Sequence, residues 1–228
     1  IIPYTALART KIGQTPQNLS MQTYNDIHTY LGNPAFLRLT GRTESENIYE
    51  ATIFDNPAAL VDNLQLYSIK PFYVFLVRIT TFFTLNAAAA AVAVSGTCLA
   101  LLLLIFPLLF RQSILAVVFL WCVVLLGNPP LAVIATCATP DSAALFLSTI
   151  AALLAVTKRQ IWLVSLVSVL AILARPDTIF IFFPLLGALA WLQRHETRAR
   201  GLLYSLAAVT TTFIFLNTQA LPWATLFR

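Results

Sequence analysis

Charged residues are scarce in this chain, so each one that borders an apolar stretch is a candidate for chemistry. Thr139-Pro140-Asp141 and Arg175-Pro176-Asp177 open two apolar stretches in the same order. In each, a residue that proline bars from the helical region is followed by Pro at the first helical position and Asp at the second. A carboxylate in the first turn is favoured by the helix dipole, which accounts for either aspartate without a function. Arg175 is different. An ionisable group at membrane depth costs a few kcal/mol and tends to line a cavity or pathway, so it calls for an anionic partner. Asp141, Asp177 or a lipid phosphate could supply one through a charge-assisted contact.

A second polar cluster is Tyr24-Asn25-Asp26-Ile27-His28-Thr29-Tyr30. On a helix, Asp26 and Tyr30 are one turn apart and share a face, while His28 projects elsewhere. Glu44, Glu46 and Glu50 fall in a polar stretch, and Asp55 and Asp62 flank a helix where capping or solvation explains them. The sequence carries no glycine-rich phosphate loop, Cys/His metal spacing, HExxH or Ser-His-Asp order. No cofactor is therefore expected, and a divalent cation would have to bind without a recognisable motif.

The elements that position these residues belong to a membrane protein. The 228 residues are 59% apolar and 10% charged, with a mean hydropathy of +0.81, whereas about a quarter of the residues in a soluble domain are charged. Six of the nine acids precede residue 85, which divides the chain into a polar segment, 1–84, and an apolar segment, 85–228. The net charge of +5 comes largely from short loops between apolar segments and is no nucleic-acid signal. Cys98, Cys122 and Cys137 lie within or beside apolar runs, where cysteine behaves as a small hydrophobe.

Within 1–84, Asn33-Pro34 and Asn56-Pro57 read as helix starts, with Asn as the cap and Pro at the first position. Tyr24 to Leu31 and Ala58 to Leu66 read as short amphipathic helices, and Gly41 to Glu46 as a loop. Tyr67 to Tyr73 leads into an aromatic run interrupted by Arg78, a composition suited to a membrane interface. Beyond it, six apolar segments are legible at about 87–110, 112–127, 140–157, 161–174, 176–192 and 201–220. A crossing needs about twenty residues, so those starting at 112 and 161 are short and imply a recess or a re-entrant hairpin.

Arg111, Lys158 with Arg159, and Arg194, Arg198 and Arg200 follow every second segment. Basic loops prefer the cytoplasm. The expectation is an all-α, multi-spanning helical bundle with both the 1–84 segment, carrying juxtamembrane helices, and the C-terminus extracytoplasmic. A chain beginning Ile1-Ile2-Pro3 with that topology is also expected to have a transmembrane helix upstream.

In this arrangement the chain resembles the amino-terminal module of the GT-C glycosyltransferases, multi-spanning enzymes that take sugars from polyprenyl-phosphate carriers. The likeness rests on a long extracytoplasmic loop with an acid, Asp26, and on a return segment, Leu66-Tyr67-Ser68-Ile69-Lys70-Pro71-Phe72-Tyr73-Val74. It rests further on the short helices opened by Thr139-Pro140-Asp141 and Ala174-Arg175-Pro176-Asp177. The loop has no paired Asp-Asp or Asp-Glu. The resemblance implies a bacterial inner-membrane enzyme using a lipid-linked sugar donor among membrane lipids. Asp26 would then be the catalytic base, flanked by Tyr24 and Tyr30. Lys70 and Arg175 would bind the departing phosphate, with Asp141, Asp177 and Tyr30 lining the substrate site. A different class fits the same helices: a non-catalytic subunit packed against other membrane subunits. A solute transporter fits less well, because no inverted repeat is visible.

Overall fold

The computed structural model describes residues 1–42, 48–110, 138–157, 160–195 and 197–219, and these are all-helical. Two compact units are present, one built chiefly of Ile1–Ser68 with Val74–Val94, the other of Ile69–Tyr73, Ser95 onward in its helix, and the segments after Pro140.

In the first unit, α1 (Ile2–Arg9), α2 (Pro16–Leu31), α3 (Asn33–Leu39), α4 (Ile48–Asp55) and α5 (Pro57–Tyr67) follow one another closely. Helix α2 begins well before the expected Tyr24, because Thr15-Pro16 is itself a start: the Thr15 hydroxyl accepts the Asn18 N–H at 3.4 Å. Asn56 caps α5 as expected, its Oδ1 accepting from the Ala58 and Ala59 N–H groups at 3.0 and 3.4 Å. Asn33 does not cap α3. Gly32, at φ 73°, takes that place because the chain must reverse within one residue of leaving α2. The Asn33 amide instead lies 2.6 Å from His28 Nε2. Ala6, Leu19, Tyr24, Ile27, Ile53, Leu60 and Leu64 form the core of this unit, with Ala88 joining them.

Helices α6 (Pro71–Thr84) and α7 (Ala87–Phe110) are joined by Leu85 and Asn86, with Leu85 held at φ 58°. In the second unit follow α8 (Asp141–Val156), α9 (Ile161–Ala174), a 3₁₀ turn (Pro176–Thr178), α10 (Ile179–Leu192) and α11 (Arg198–Gln219). Arg175 is extended, at φ −155° and ψ 106°, as a residue before proline should be. The proline break thus separates α9 from α10 with a sharp corner and no loop. Asp177 takes the expected second place, after Pro176 at the first position of the 3₁₀ turn, whereas Asp141 is one place early, as the first residue of α8 after Pro140.

The core of this unit combines large side chains, Phe182, Ile172, Leu186 and Leu202, with the small residues of α8. Ala143, Ala144, Ser148, Ala151 and Ala155 are the buried face of α8, while Trp162, Phe180, Phe183, Trp191 and Phe215 are exposed. Close approach makes the small residues necessary: a Cβ on Gly201 of α11 would lie 2.7 Å from Ile161 Cγ2 and Cδ1. Among the described residues, two helical stretches, Ala87–Ile105 and Arg198–Leu216, are long and apolar enough to cross a membrane, with mean hydropathies of 2.4 and 1.4. The segment expected at 112–127 and the basic residues Arg111, Lys158 and Arg159 lie outside the described residues.

Candidate functional site

The sharp corner at Arg175 gathers three charges that are far apart in sequence. Its Nε donates to both oxygens of Asp177, at 2.7 and 2.9 Å, and its Nη1 donates to Asp141 Oδ1. The reason is local geometry: α8 and the 3₁₀ turn both begin at this end of the unit, each opening with a carboxylate next to proline. Arg175 therefore has both of the anionic partners that the sequence offered. Two groups are left over. Asp141 Oδ2 and Arg175 Nη2 have no hydrogen bond within the described residues.

A cavity of about 340 Å³ opens here, lined by Asp141, Leu145, Ser148, Arg175, Asp177 and Ile181, among others. Ser148 was not singled out in the sequence, although its spacing of seven from Asp141 puts it on the same face of α8, two turns deeper. Its hydroxyl is buried with no hydrogen-bond partner among the described residues, a state that ordinarily costs about 1–3 kcal/mol. Lys70 belongs to the same unit. Burial first, then the Arg175 charge, push its ammonium below the ordinary 10.5, with Asp177 opposing. The corner thus combines a guanidinium, two carboxylates and, deeper in an apolar recess, a buried hydroxyl, with Lys70 near enough to feel the charges of Arg175 and Asp177.

Asp26 is placed very differently, in the first unit. It is buried, and its Oδ2 accepts from Arg9 Nε at 2.7 Å and from the Ala87 backbone N–H at 3.0 Å. Its Oδ1 accepts from Arg9 Nη2 at 3.0 Å. Three of the roughly four acceptor positions of a carboxylate are filled. The aromatic residues expected beside it do not form a sugar platform. Tyr24 is buried edge-on against Phe54 and Phe36, with ring centroids 4.6 and 6.4 Å apart, because the apolar face of α2 needs its ring for the core. Burial and then the Asp55 charge also raise the Tyr24 phenol. Tyr30, one turn beyond Asp26, is 41% exposed, whereas Asp26 is buried. Among the described residues, no group of three or more His, Cys, Asp or Glu side chains could hold a metal ion.

No protein-family model matches the chain, and no curated protein or solved structure matches it.

Proposed function

We propose that the chain is a multi-pass membrane protein of the GT-C glycosyltransferase type, and that the Asp141–Arg175–Asp177 corner is where it handles a polyprenyl-phosphate sugar. The observation that carries this reading is the division of labour within the corner. Arg175 Nη2 and the Lys70 ammonium supply positive charge, while Asp141 Oδ2 is a carboxylate oxygen free to take a proton. Sugar transfer from a lipid phosphate needs both. The acceptor hydroxyl attacks the anomeric carbon and its proton passes to Asp141. The bond from that carbon to the phosphate oxygen breaks, and the phosphate leaves with the electron pair toward Arg175 and Lys70. Ser148, deeper in the recess, would donate its unused hydroxyl hydrogen bond to the substrate. The exposed aromatic and aliphatic side chains of α9, α10 and α11 suit contact with lipid tails. On this reading Asp141 takes the role of base in place of Asp26, and both the first unit and the C-terminus face away from the cytoplasm.

The test uses the full chain in lipid nanodiscs. Polyprenyl phosphate, without sugar, should bind Arg175→Gln about 10- to 100-fold more weakly, as expected when a charge-assisted contact is lost. With a panel of polyprenyl-phosphate hexoses and a hydroxyl acceptor, Asp141→Asn should slow release of the carrier phosphate by about 10² to 10⁴ while carrier binding persists. Unchanged carrier affinity in a folded Arg175→Gln protein makes the corner purely structural. Stable co-purification with other membrane chains would then favour the accessory-subunit reading.

A further inference from the structure

We propose that the first unit binds the headgroup of an anionic phospholipid in a cationic cleft between the end of α1 and α6, a site separate from the Arg175 corner. The cleft has a volume of about 430 Å³ and is lined by Arg9, Lys11, Arg78, Thr81, Phe82 and Leu85, with Ala8 and Thr10 completing it. Three cations converge there and the lining contains no carboxylate. Arg9 is balanced by Asp26. Arg78 has no carboxylate partner among the described residues: its Nη2 donates to the Leu7 and Thr10 carbonyls, at 2.9 and 3.4 Å, so the guanidinium is fixed at the end of α1 while keeping its charge. Lys11 is exposed, and among the described residues its ammonium has no carboxylate partner. About two positive charges are therefore held together without a counter-ion among the described residues, an arrangement that repels itself until an anion enters.

What lies beside the cations selects the kind of anion. Ile79, Phe82 and Phe83 form one stripe of α6 at helical spacing, and all three are exposed, Phe82 and Phe83 by 77 and 83%. Leu85, 79% exposed, continues the stripe, and the Arg9 Nη2 hydrogen bond to its carbonyl at 3.0 Å ties this apolar corner to the cationic one. A free phosphate would use only the charges. A glycerophospholipid uses both, its phosphate between Lys11 and Arg78 and its acyl chains along the α6 stripe, which is the pairing that basic clusters at membrane surfaces recognise.

Native mass spectrometry of the full chain, titrated with phosphatidylglycerol or with phosphatidylcholine, tests this. One phosphatidylglycerol should bind per chain, in preference to phosphatidylcholine. Lys11→Gln should weaken it about fivefold, and Lys11→Gln with Arg78→Gln about 25-fold, at roughly fivefold per surface charge. Because Lys11 is exposed and its ammonium has no ion pair among the described residues, the single variant remains decisive if the double variant unfolds. Arg175→Gln should leave this adduct unchanged, so the site stands or falls independently of the proposed carrier site. Equal binding of the two lipids overturns the proposal, as does an unaltered adduct in Lys11→Gln, complete displacement by millimolar inorganic phosphate, or loss of the adduct in Arg175→Gln.

Discussion

Asp26 and Ala87 lie 61 positions apart in the chain, yet Asp26 Oδ2 accepts the Ala87 backbone N–H at 3.0 Å, at the first residue of α7. A helix start leaves its first N–H groups without intrahelical partners. Here the supply is divided. Asn86 caps in the ordinary way, its Oδ1 accepting from Ala89 N at 2.9 Å, and its amide nitrogen donates to the Asp26 carbonyl at 2.9 Å. Asp26 serves Ala87 from a different helix while holding Arg9, and Arg9 holds the Leu85 carbonyl just ahead of the cap. One carboxylate therefore fixes the end of α1 and the start of α7 together.

Removing its charge should cost stability before anything else. Asp26→Asn leaves Arg9 half-buried and unpaired, which typically costs about 3 kcal/mol or more. Arg9→Gln should cost a similar amount, and the double variant less than the two together, because they remove one interaction. Thermal unfolding in detergent reads all three. An Asp26→Asn protein that keeps its full stability but loses transfer would return the role of catalytic base to Asp26.

Ser148→Ala separates substrate contact from folding. Its hydroxyl is buried and unbonded in the protein alone, so replacing it should be neutral or slightly stabilising. If the hydroxyl donates to a bound carrier or acceptor, the same variant should bind that ligand about tenfold more weakly, the loss of one hydrogen bond. A variant as tight as the native protein shows that the recess below Asp141 stays empty.

Lys70 gives the proposed carrier site a signature in pH. Its folded-state value lies below the ordinary 10.5, so the folded protein releases this proton at a lower pH than the unfolded chain. The folded state then binds fewer protons across that interval, and Lys70's contribution to stability rises as pH climbs toward 10.5. Phosphate binding should run the other way, weakening across the same interval as the cation is lost. Lys70→Arg keeps its charge there and should flatten the binding profile. A native profile that is already flat over this interval excludes Lys70 from the phosphate contact.

The helices were legible where pattern and punctuation agreed. Ile161–Ala174 and Ala87–Phe110 follow from apolar runs bounded by polar residues or proline, and Asn56-Pro57 announced its own cap. The Arg175 pairing was legible too, as a permanent charge beside two candidate carboxylates. The fate of Asp26 was not, because its partners Arg9 and Ala87 lie 17 and 61 positions away and nothing local signals them. Tyr24 misled for a related reason: an aromatic residue beside an acid reads alike whether it faces a sugar or a core containing Phe36 and Phe54. Ser148 was hidden by its ordinary surroundings, a lone hydroxyl in an alanine-rich helix.

The proposed topology can be read by labelling. In a protein stripped of its native cysteines, a cysteine at exposed Gln22 in α2 should react with a membrane-impermeant thiol reagent from the outside. One at exposed Thr197, before α11, should react only after the membrane is opened. The reverse pattern inverts the protein. Reaction of both positions from outside indicates an odd crossing fewer or more than the basic loops at Arg194, Arg198 and Arg200 imply.

Two glycines in the second unit test whether its helices pack as closely as the small residues suggest. Gly201 has no room for a methyl group, because the nearest atoms, Ile161 Cγ2 and Cδ1, would be 2.7 Å from it. Cγ2 belongs to the branch point of a stiff side chain and cannot swing away without moving α9. Gly187, in α10, has nothing within 4 Å of the same added atom. Gly201→Ala should therefore destabilise by about 1–3 kcal/mol, the usual range for overpacking. Gly187→Ala should be neutral or stabilising by up to about 1 kcal/mol through helix propensity. Each is read by thermal unfolding in the same detergent. Equal effects would mean that α9 and α11 separate in solution. A loss confined to Gly201→Ala, restored in part by Ile161→Val, would establish their close approach, since valine keeps the branch but removes the Cδ1 contact.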